Sequence, residues 1–329
     1  MKFSDFYGQS SLAKDLQLSF SQGRVAHGFL FTGPEGSGKK TLASICAQAL
    51  LCSSLGAEKP CGSCGPCKRV VSGSHPDYID VKTQTVQIGI DAVRSLISTL
   101  SEKSFEGGNR AVLITKPMTF DAQNALLKTL EEPPSGTVFF ITAVNTSALL
   151  PTVISRVQLV ALSPLDEKTC TQALLSKGVH PEKAPLLARL SGGIVGKALK
   201  MQEDTDYWRA RELAYELMRL SKGADLPGIM AKLAKANIDG REFISCVESI
   251  LSDVIRFHNG AVRIEIDKLS ETESIAAKVG VDKAVALLDG TAQALRMINS
   301  YIPLQAALQP LAFRLLEVAN NGKSDRRPL

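Results

Sequence analysis

The feature that most constrains this chain is a glycine-rich turn between an apolar run and a helix-forming segment. The turn reads Gly33-Pro-Glu-Gly-Ser-Gly-Lys-Lys40, after Phe29-Leu-Phe31 and before the segment 41–50. Glycines let backbone N–H groups approach a polyphosphate, and a helix start adds the positive end of its dipole. Strand, turn and helix in this order predict a phosphate cradle. Its lining residues would be Gly33, Gly36, Gly38, Lys39, Lys40 and Thr41.

One position departs from the pattern G-x-x-x-x-G-K-[ST]. Gly33, Gly38 and Lys39 fit, but Lys40 stands where a hydroxyl should bind Mg²⁺. Thr41 comes one residue late, so its side chain points about 100° further round the helix. A lysine cannot coordinate a cation, although it can attract a phosphate. Nucleotide binding without hydrolysis, an empty relic of a site and a chance glycine turn therefore stay as alternatives.

Four of the seven cysteines form a metal-binding pattern. Cys52, Cys61, Cys64 and Cys67 have the spacing C-x8-C-x2-C-x2-C, with glycines and prolines between them. Four thiolates with short Cys-x-x-Cys hooks are typical of structural zinc. A disulfide is the alternative, which a reducing compartment disfavours. With four thiolates present, His75 is expected to be structural, and the other cysteines (Cys46, Cys170 and Cys246) are expected to be buried.

Strands and helices alternate through the first half of the chain. Strands are predicted at 27–32, 78–81, 111–114, 137–142 and 157–162, with helices at 10–22, 41–51, 90–104 and 120–131. This alternation indicates an α/β fold with a parallel sheet covered on both faces. After Ser163 only helices are predicted, at 167–176, 181–190 and 195–202 and then beyond a polar linker at 203–206. Pro310 is expected to kink or restart the last helix, and the tail 320–329 to fray.

Composition sets broad limits on the kind of protein. The 329 residues suffice for two or three domains, and 44% hydrophobic with 22% charged residues is ordinary for a globular protein. A net charge of +5 permits contact with nucleic acid without requiring it. The first 20 residues lack a signal-peptide core, and no run approaches a membrane span of about 20 apolar residues. A cytoplasmic protein is therefore expected.

Several motifs in sequence order carry a family resemblance. After the phosphate turn and the four cysteines come Asn124-Ala-Leu-Leu-Lys-Thr-Leu-Glu-Glu-Pro-Pro134 and Leu149-Leu-Pro-Thr-Val-Ile-Ser-Arg156. Together they resemble the bacterial DNA polymerase III clamp-loader subunits of the AAA+ class. Within that family the chain is more similar to the delta prime type than to the ATP-hydrolysing gamma/tau type. The resemblance is close over residues 1–205, and residues beyond it match as a helical domain of the right length.

The resemblance implies a three-domain architecture. An AAA+ P-loop parallel sheet domain with a zinc hook at 52–67 would span 1–163. A small helical lid domain would span 164–206, and an all-α C-terminal collar domain 207–329 would hold the subunit in a ring.

Set against active relatives, the chain lacks catalytic groups at three places. Lys40 replaces the metal ligand, and Thr115-Lys-Pro117 stands where an acidic pair should follow the third strand. Asp121 lies on the following helix instead. Gly196-Lys197 replaces an arginine that senses the γ-phosphate. The resemblance therefore implies that the isolated chain is not an ATPase and that nucleotide binding is weak or absent.

What the resemblance leaves intact is Ser155-Arg156, although Val157 replaces the usual cysteine. In the family this arginine reaches across a subunit interface into the neighbour's ATP site, where such fingers stabilise the γ-phosphate. A surface salt bridge is the alternative for Arg156.

The implied partners are those of a non-hydrolysing stator. Three gamma/tau subunits and delta would complete a hetero-pentamer that loads the sliding beta clamp on primed DNA, within a holoenzyme that is a DNA-directed DNA polymerase. An ATP-hydrolysing gamma/tau-type motor subunit is the first alternative. A free zinc and nucleic-acid binding module is the second, although the aromatic residues expected of a base-stacking surface are missing.

Overall fold

The computed structural model describes residues 2–8, 10–54, 56, 58–220, 226–236 and 238–321. Two compact units divide the chain. The first comprises Met1–Lys177 and Gly192–Lys197, and the second Gly178–Ser191 and Ala198–Leu329. Most of the predicted frayed tail, residues 322–329, lies outside the described residues. The division into a sheet domain, a lid and a collar stays a prediction.

A parallel sheet forms the centre of the first unit, as predicted. Its described strands are β1 (Gly28–Thr32), β2 (Tyr78–Asp80), β3 (Arg110–Ile114), β4 (Thr137–Ala143) and β5 (Gln158–Ala161). They pair in the order β2-β3-β4-β1-β5, all parallel. Strand β1 therefore lies between β4 and β5, with Leu30 opposite Ile141 and Leu159. Its buried position explains the uninterrupted apolar run that precedes the glycine turn.

Helices connect these strands. They are α1 (Ser10–Ser21), α2 (Lys39–Leu50), α3 (Gly65–Ser72), α4 (Ile90–Ser101), α5 (Phe120–Glu131), α6 (Pro151–Ile154) and α7 (Glu167–Ser176). The predictions match these elements closely, except that α3 was not predicted. Cys64 caps α3, since its sulfur accepts the N–H of Cys67.

Alternation along the strands builds one core on each face of the sheet. On one face Phe29, Phe31 and Phe140 meet Phe20 of α1, and the rings of Phe29 and Phe140 stack with centroids 5.7 Å apart. On the other face Leu30, with Phe139 of β4, packs with α4 and α5. Because consecutive side chains of a strand point to opposite faces, β1 contributes to both cores.

The second unit is helical in its described part. Its helices are α8 (Ala184–Leu190), α10 (Thr205–Met218), α11 (Leu226–Ala236), α12 (Gly240–His258), α13 (Leu269–Ala276), α14 (Val281–Asn299) and α15 (Leu304–Asn321), while α9 (Val195–Glu203) begins in the first unit. None of the described helices has both the length and the hydropathy needed to cross a bilayer.

One prediction for this half of the chain is wrong. No polar linker separates 203 from 206, because α9 ends at Glu203 and α10 begins at Thr205. Asp204 between them caps α10 by accepting the N–H groups of Asp206 and Tyr207, so its polarity reflects helix capping. Pro310 lies inside the continuous α15, so the helix does not restart there, and a kink at Pro310 stays a prediction.

A buried ion network fixes the loop after α12. Arg211 of α10, 2% exposed, donates to Glu265 and Asp267. Glu265 also accepts from the hydroxyl of Ser249, at 2.7 Å, and its backbone N–H donates to the buried Asp253. Removing one partner of such a network leaves an uncompensated charge, which costs much more than a surface pair is worth.

Replacing Arg211 by alanine should therefore destabilise the second unit by about 3–5 kcal/mol, because the Glu265 carboxylate would stay buried without its cation. The measurement is urea unfolding followed by the fluorescence of Trp208, the single tryptophan, whose ring lies 5.5 Å from the guanidinium carbon of Arg211. Arg209→Ala is the control, since Arg209 pairs with Asp206 in an exposed position. Equal effects of the two variants would contradict a structural role for the network.

Candidate functional site

The glycine turn joins the carboxyl end of β1 to the first residue of α2. Lys39 does not extend out of the turn. Its ammonium donates to the carbonyls of Gly33 and Pro34, both at 2.7 Å. Burial lowers the pKa of Lys39, and the nearby Glu35 opposes this effect. The lysine that would hold a phosphate is therefore engaged by the turn itself.

Lys40 has a charged partner of its own. Its Nζ lies 3.9 Å from Oδ2 of Asp80, at the carboxyl end of β2. An ammonium paired with a carboxylate thus stands at the sequence position where the pattern has the Mg²⁺-binding hydroxyl. Asp80 was not singled out from the sequence, because its pairing depends on the sheet order and no local motif marks it.

Residues 115–117, which directly follow β3, contain no carboxylate. Lys116 donates to the carbonyls of Thr83 and Thr85, at 2.7 and 2.9 Å, and so fastens a neighbouring loop. Asp121 lies in the first turn of α5. An acidic pair directly after β3 is thus not found among the described residues 115–117.

The turn packs directly against the start of α9. The N–H of Gly196 donates to the carbonyl of Gly36 at 3.0 Å. A Cβ built on Gly36, whose φ is +84°, would lie 2.9 Å from the backbone nitrogen of Lys197. Gly36 is thus required both for its left-handed conformation and for close approach of the backbone. The buried hydroxyl of Ser37 has no hydrogen-bond partner among the described residues.

The four predicted zinc ligands come together. All four sulfurs lie within 4.8 Å of one another, with Cys52 and Cys64 separated by 3.9 Å and Cys61 and Cys67 by 4.0 Å. A tetrahedral ion with Zn–S bonds near 2.3 Å places its sulfurs about 3.8 Å apart. A disulfide needs about 2.0 Å. The four residues therefore fit a metal ion and no cysteine pair among them is bonded.

Backbone amides around the sulfurs support the same arrangement. The N–H groups of Cys61, Cys64 and Cys67 point to the sulfurs of Cys52, Cys61 and Cys64 at 3.4–3.5 Å. The amides of Cys64 and Ser63 lower the pKa of the Cys61 thiol to about 5. Such donors favour the thiolates that a zinc ion requires.

His75 takes no part in the cysteine cluster, as predicted. It is buried, and its Nδ1 accepts the N–H of Asp77 at 3.1 Å. Burial lowers the pKa of His75, with Glu106 acting in the opposite direction. The three remaining cysteines (Cys46, Cys170 and Cys246) are buried, also as predicted.

Arg156 lies between α6 and β5 and is held by its own chain. Its Nε donates to Oε1 of Glu131 at 2.8 Å, and its Nη2 donates to the same oxygen. Its Nη1 donates to the carbonyl of Thr152 at 2.7 Å and to the hydroxyl of Ser155 at 3.2 Å. The Arg156 side chain is 29% exposed, so another molecule can reach it.

A parallel sheet with a glycine turn between β1 and α2 gives the first unit an α/β fold. A family described as "DNA polymerase III, delta subunit" matches residues 8–166. The DNA polymerase III subunit delta' of Escherichia coli K12 is 34% identical over 256 residues, which cover 76% of this chain and 75% of that protein. The chain belongs to this DNA polymerase III delta' family.

Two further comparisons place this family among its neighbours. The tau subunit of DNA polymerase III from Bacillus subtilis strain 168 is 33% identical over 159 residues, 48% of this chain and 28% of that protein. A gamma subunit-related protein from Thermotoga maritima superposes with a TM-score of 0.52 at 17% identity, covering 92% of this chain and 99% of that one. The structural likeness establishes a shared fold.

Replacing Cys64 by serine should release one bound metal ion per chain and loosen the segment 52–67, since the donor set falls from four thiolates to three. Elemental analysis of the purified protein with a thiol titration measures both effects. Ser63→Ala is the control, because it removes a hydroxyl that contacts Cys61 but keeps the backbone amide and all four thiolates. A metal-free protein that is fully folded with four titratable thiols would contradict the assignment.

Proposed function

We propose that this chain is the non-hydrolysing delta prime (stator) subunit of a bacterial DNA polymerase III clamp loader, which helps to load the sliding beta clamp on primed DNA. One observation carries this proposal: the phosphate turn presents a lysine paired with Asp80 where Mg²⁺ should bind. The absence of carboxylates in the described residues 115–117 after β3 supports it, and so does membership of the delta' family.

The changes at the turn act on different parts of one reaction. Hydrolysis of ATP needs Mg²⁺ to neutralise the developing charge and a residue that positions the attacking water. Losing a single electrostatic donor costs a typical enzyme about 3 kcal/mol of transition-state stabilisation. Losing the metal ligand and both acids removes far more. Nucleotide binding at Gly33, Gly36, Gly38, Lys39, Lys40 and Thr41 is accordingly weak or absent.

The remaining parts of the proposal concern assembly. The chain joins gamma/tau and delta subunits in a hetero-pentamer in the cytoplasm, through the collar 207–329. The sheet domain 1–163 and the lid 164–206 belong to the same ring. The ion held by Cys52, Cys61, Cys64 and Cys67 is zinc, which shapes the segment 52–67. The names of the related tau and gamma proteins support a clamp-loader complex.

Arg156 is the residue through which the chain acts on a neighbour. Its own cradle lacks the groups for hydrolysis, so an arginine directed inward would assist nothing. Its position at the junction of α6 and β5, partly exposed, suits a finger that completes the ATP site of an adjacent gamma/tau subunit. Fingers supplied by another subunit raise the rate of such reactions by about 10³ or more.

The isolated chain should show no ATPase activity above background, because Lys40 replaces the hydroxyl that would bind Mg²⁺ and residues 115–117 provide no carboxylate to activate water. Phosphate release with and without Mg²⁺ measures this, with a gamma/tau subunit as the positive control. Lys39→Ala should leave the result unchanged. Mg²⁺-dependent hydrolysis that Lys39→Ala abolishes would reject the stator and favour the ATP-hydrolysing gamma/tau-type motor.

Arg156→Ala should leave the chain folded and able to enter the ring, while clamp loading falls more strongly than ATPase activity. Only one of the three active sites would lose its finger, whereas opening the clamp requires the sites to engage together. Reconstituted pentamers allow assembly, ATPase and loading to be measured separately.

The matched control is Arg94→Ala, which removes an exposed arginine of the same unit that pairs with Asp91. Normal loading with Arg156→Ala would reject the finger. Failed assembly would show instead that Arg156 is a structural salt-bridge residue.

A further inference from the structure

The hydrogen bonds of Arg156 leave its guanidinium almost fully used. The group has five N–H donors. Glu131 takes one from Nε and one from Nη2, and the carbonyl of Thr152 and the hydroxyl of Ser155 take the two on Nη1. A single N–H of Nη2 is left for another acceptor. A phosphate gripped through two donors must therefore displace a partner that belongs to this chain.

Glu131 has an electrostatic reason to hold a cation. It is the last residue of α5, and Glu132 follows it. The C-terminal end of a helix carries a partial negative charge, so two carboxylates there are unfavourable by themselves. The guanidinium offsets this charge, and it also lies on the carbonyl of Thr152 in the short helix α6. Arg156 thus lies against the negative end of α5 and a backbone carbonyl of α6.

We propose that Glu131 is a latch for Arg156, a contact that holds the arginine on its own subunit until a phosphate of the neighbour's nucleotide replaces the carboxylate. The proposal rests on the proposed finger role of Arg156. Arginine binds carboxylate and phosphate through the same planar fork, so the two anions compete for the edge formed by Nε and Nη2.

The exposure of Arg156 and Glu131 allows a phosphate to replace the carboxylate on the guanidinium. The side chains of Arg156 and Glu131 are 29% and 48% exposed, so water and a partner can reach both. Exposed ion pairs are weak, yet a carboxylate held at two donors still fixes the orientation of the arginine. An ion pair of this strength slows the transfer of Arg156 to the neighbour's phosphate without preventing it. The sequence motif that contains Glu131 gives no sign of this role, because its partner lies 25 residues away.

The latch itself is tested in the chain alone. The Nε–H signal of Arg156, assigned by its loss in Arg156→Lys, is followed by ¹H–¹⁵N NMR. Glu131→Gln keeps the size and removes the charge, so the signal should shift and exchange with solvent several times faster. Glu132→Gln is the control, since it removes the same charge one residue later and no described contact joins Glu132 to Arg156. An unchanged signal in Glu131→Gln would overturn the latch.

The competition with phosphate is tested in the reconstituted ring. ATPase rates are measured against ATP concentration, and the rate with Arg156→Ala is subtracted to isolate the turnover that depends on the finger. Glu131→Gln should lower the half-saturating ATP concentration of this component up to about fivefold, the range expected for an exposed ion pair. Its maximal rate should not fall, and Glu132→Gln should match the unchanged chain.

The outcomes separate the latch from the finger. If Arg156→Ala leaves the ATPase unchanged, the finger role fails and the latch fails with it. If Arg156→Ala lowers the rate but Glu131→Gln leaves half-saturation unchanged, only the latch is overturned. If Glu131→Gln lowers the maximal rate as Arg156→Ala does, Glu131 positions the finger for catalysis and the latch is likewise overturned.

Discussion

The bond between Lys39 and the carbonyls of Gly33 and Pro34 governs how the glycine turn can behave. In a nucleotide-binding loop this ammonium is needed for the phosphates. Here the Lys39 ammonium donates to carbonyls of the turn itself, and the Lys40 ammonium pairs with Asp80 at the carboxyl end of β2. Both positive charges thus have partners within the protein. If the proposed function is right, a nucleotide would have to replace these contacts without help from a metal ion.

Two other parts of the chain each depend on a small set of contacts. Between α2 and α3 the described residues form no helix or strand, so the four cysteines and their amide hydrogen bonds define that segment. A structural metal contributes folding free energy where a core is too small to do so. In the second unit the buried pair of Arg211 and Glu265 plays a similar part, tying the loop after α12 to α10.

Periodicity was enough to predict most of the fold. The apolar runs of β1, β3 and β4 and the helical spacing of α4 and α5 are local signals, and the strands and helices appear where they were expected. The polar linker failed because Asp204 looks like a loop residue but caps a helix.

The candidate site, like the fold, has parts that could be predicted from the sequence and parts that could not. Cysteine spacing predicted the metal cluster, since its ligands are close in sequence. The partners of Lys40 and Arg156 lie 40 and 25 residues from them, and only the sheet order and the end of α5 bring them near. The departures at Lys40 and at residues 115–117 are visible in the sequence itself, because each lies within a local motif.

The proposed stator function depends most on a turn whose lysines have partners within the protein in the absence of nucleotide and metal. A thermal unfolding experiment with ATP, with and without Mg²⁺, tests this directly, because a ligand that binds only the folded protein raises the melting temperature. We expect no Mg²⁺-dependent rise in the melting temperature. A rise of several degrees that requires both ATP and Mg²⁺, and that Lys39→Ala removes, would contradict it.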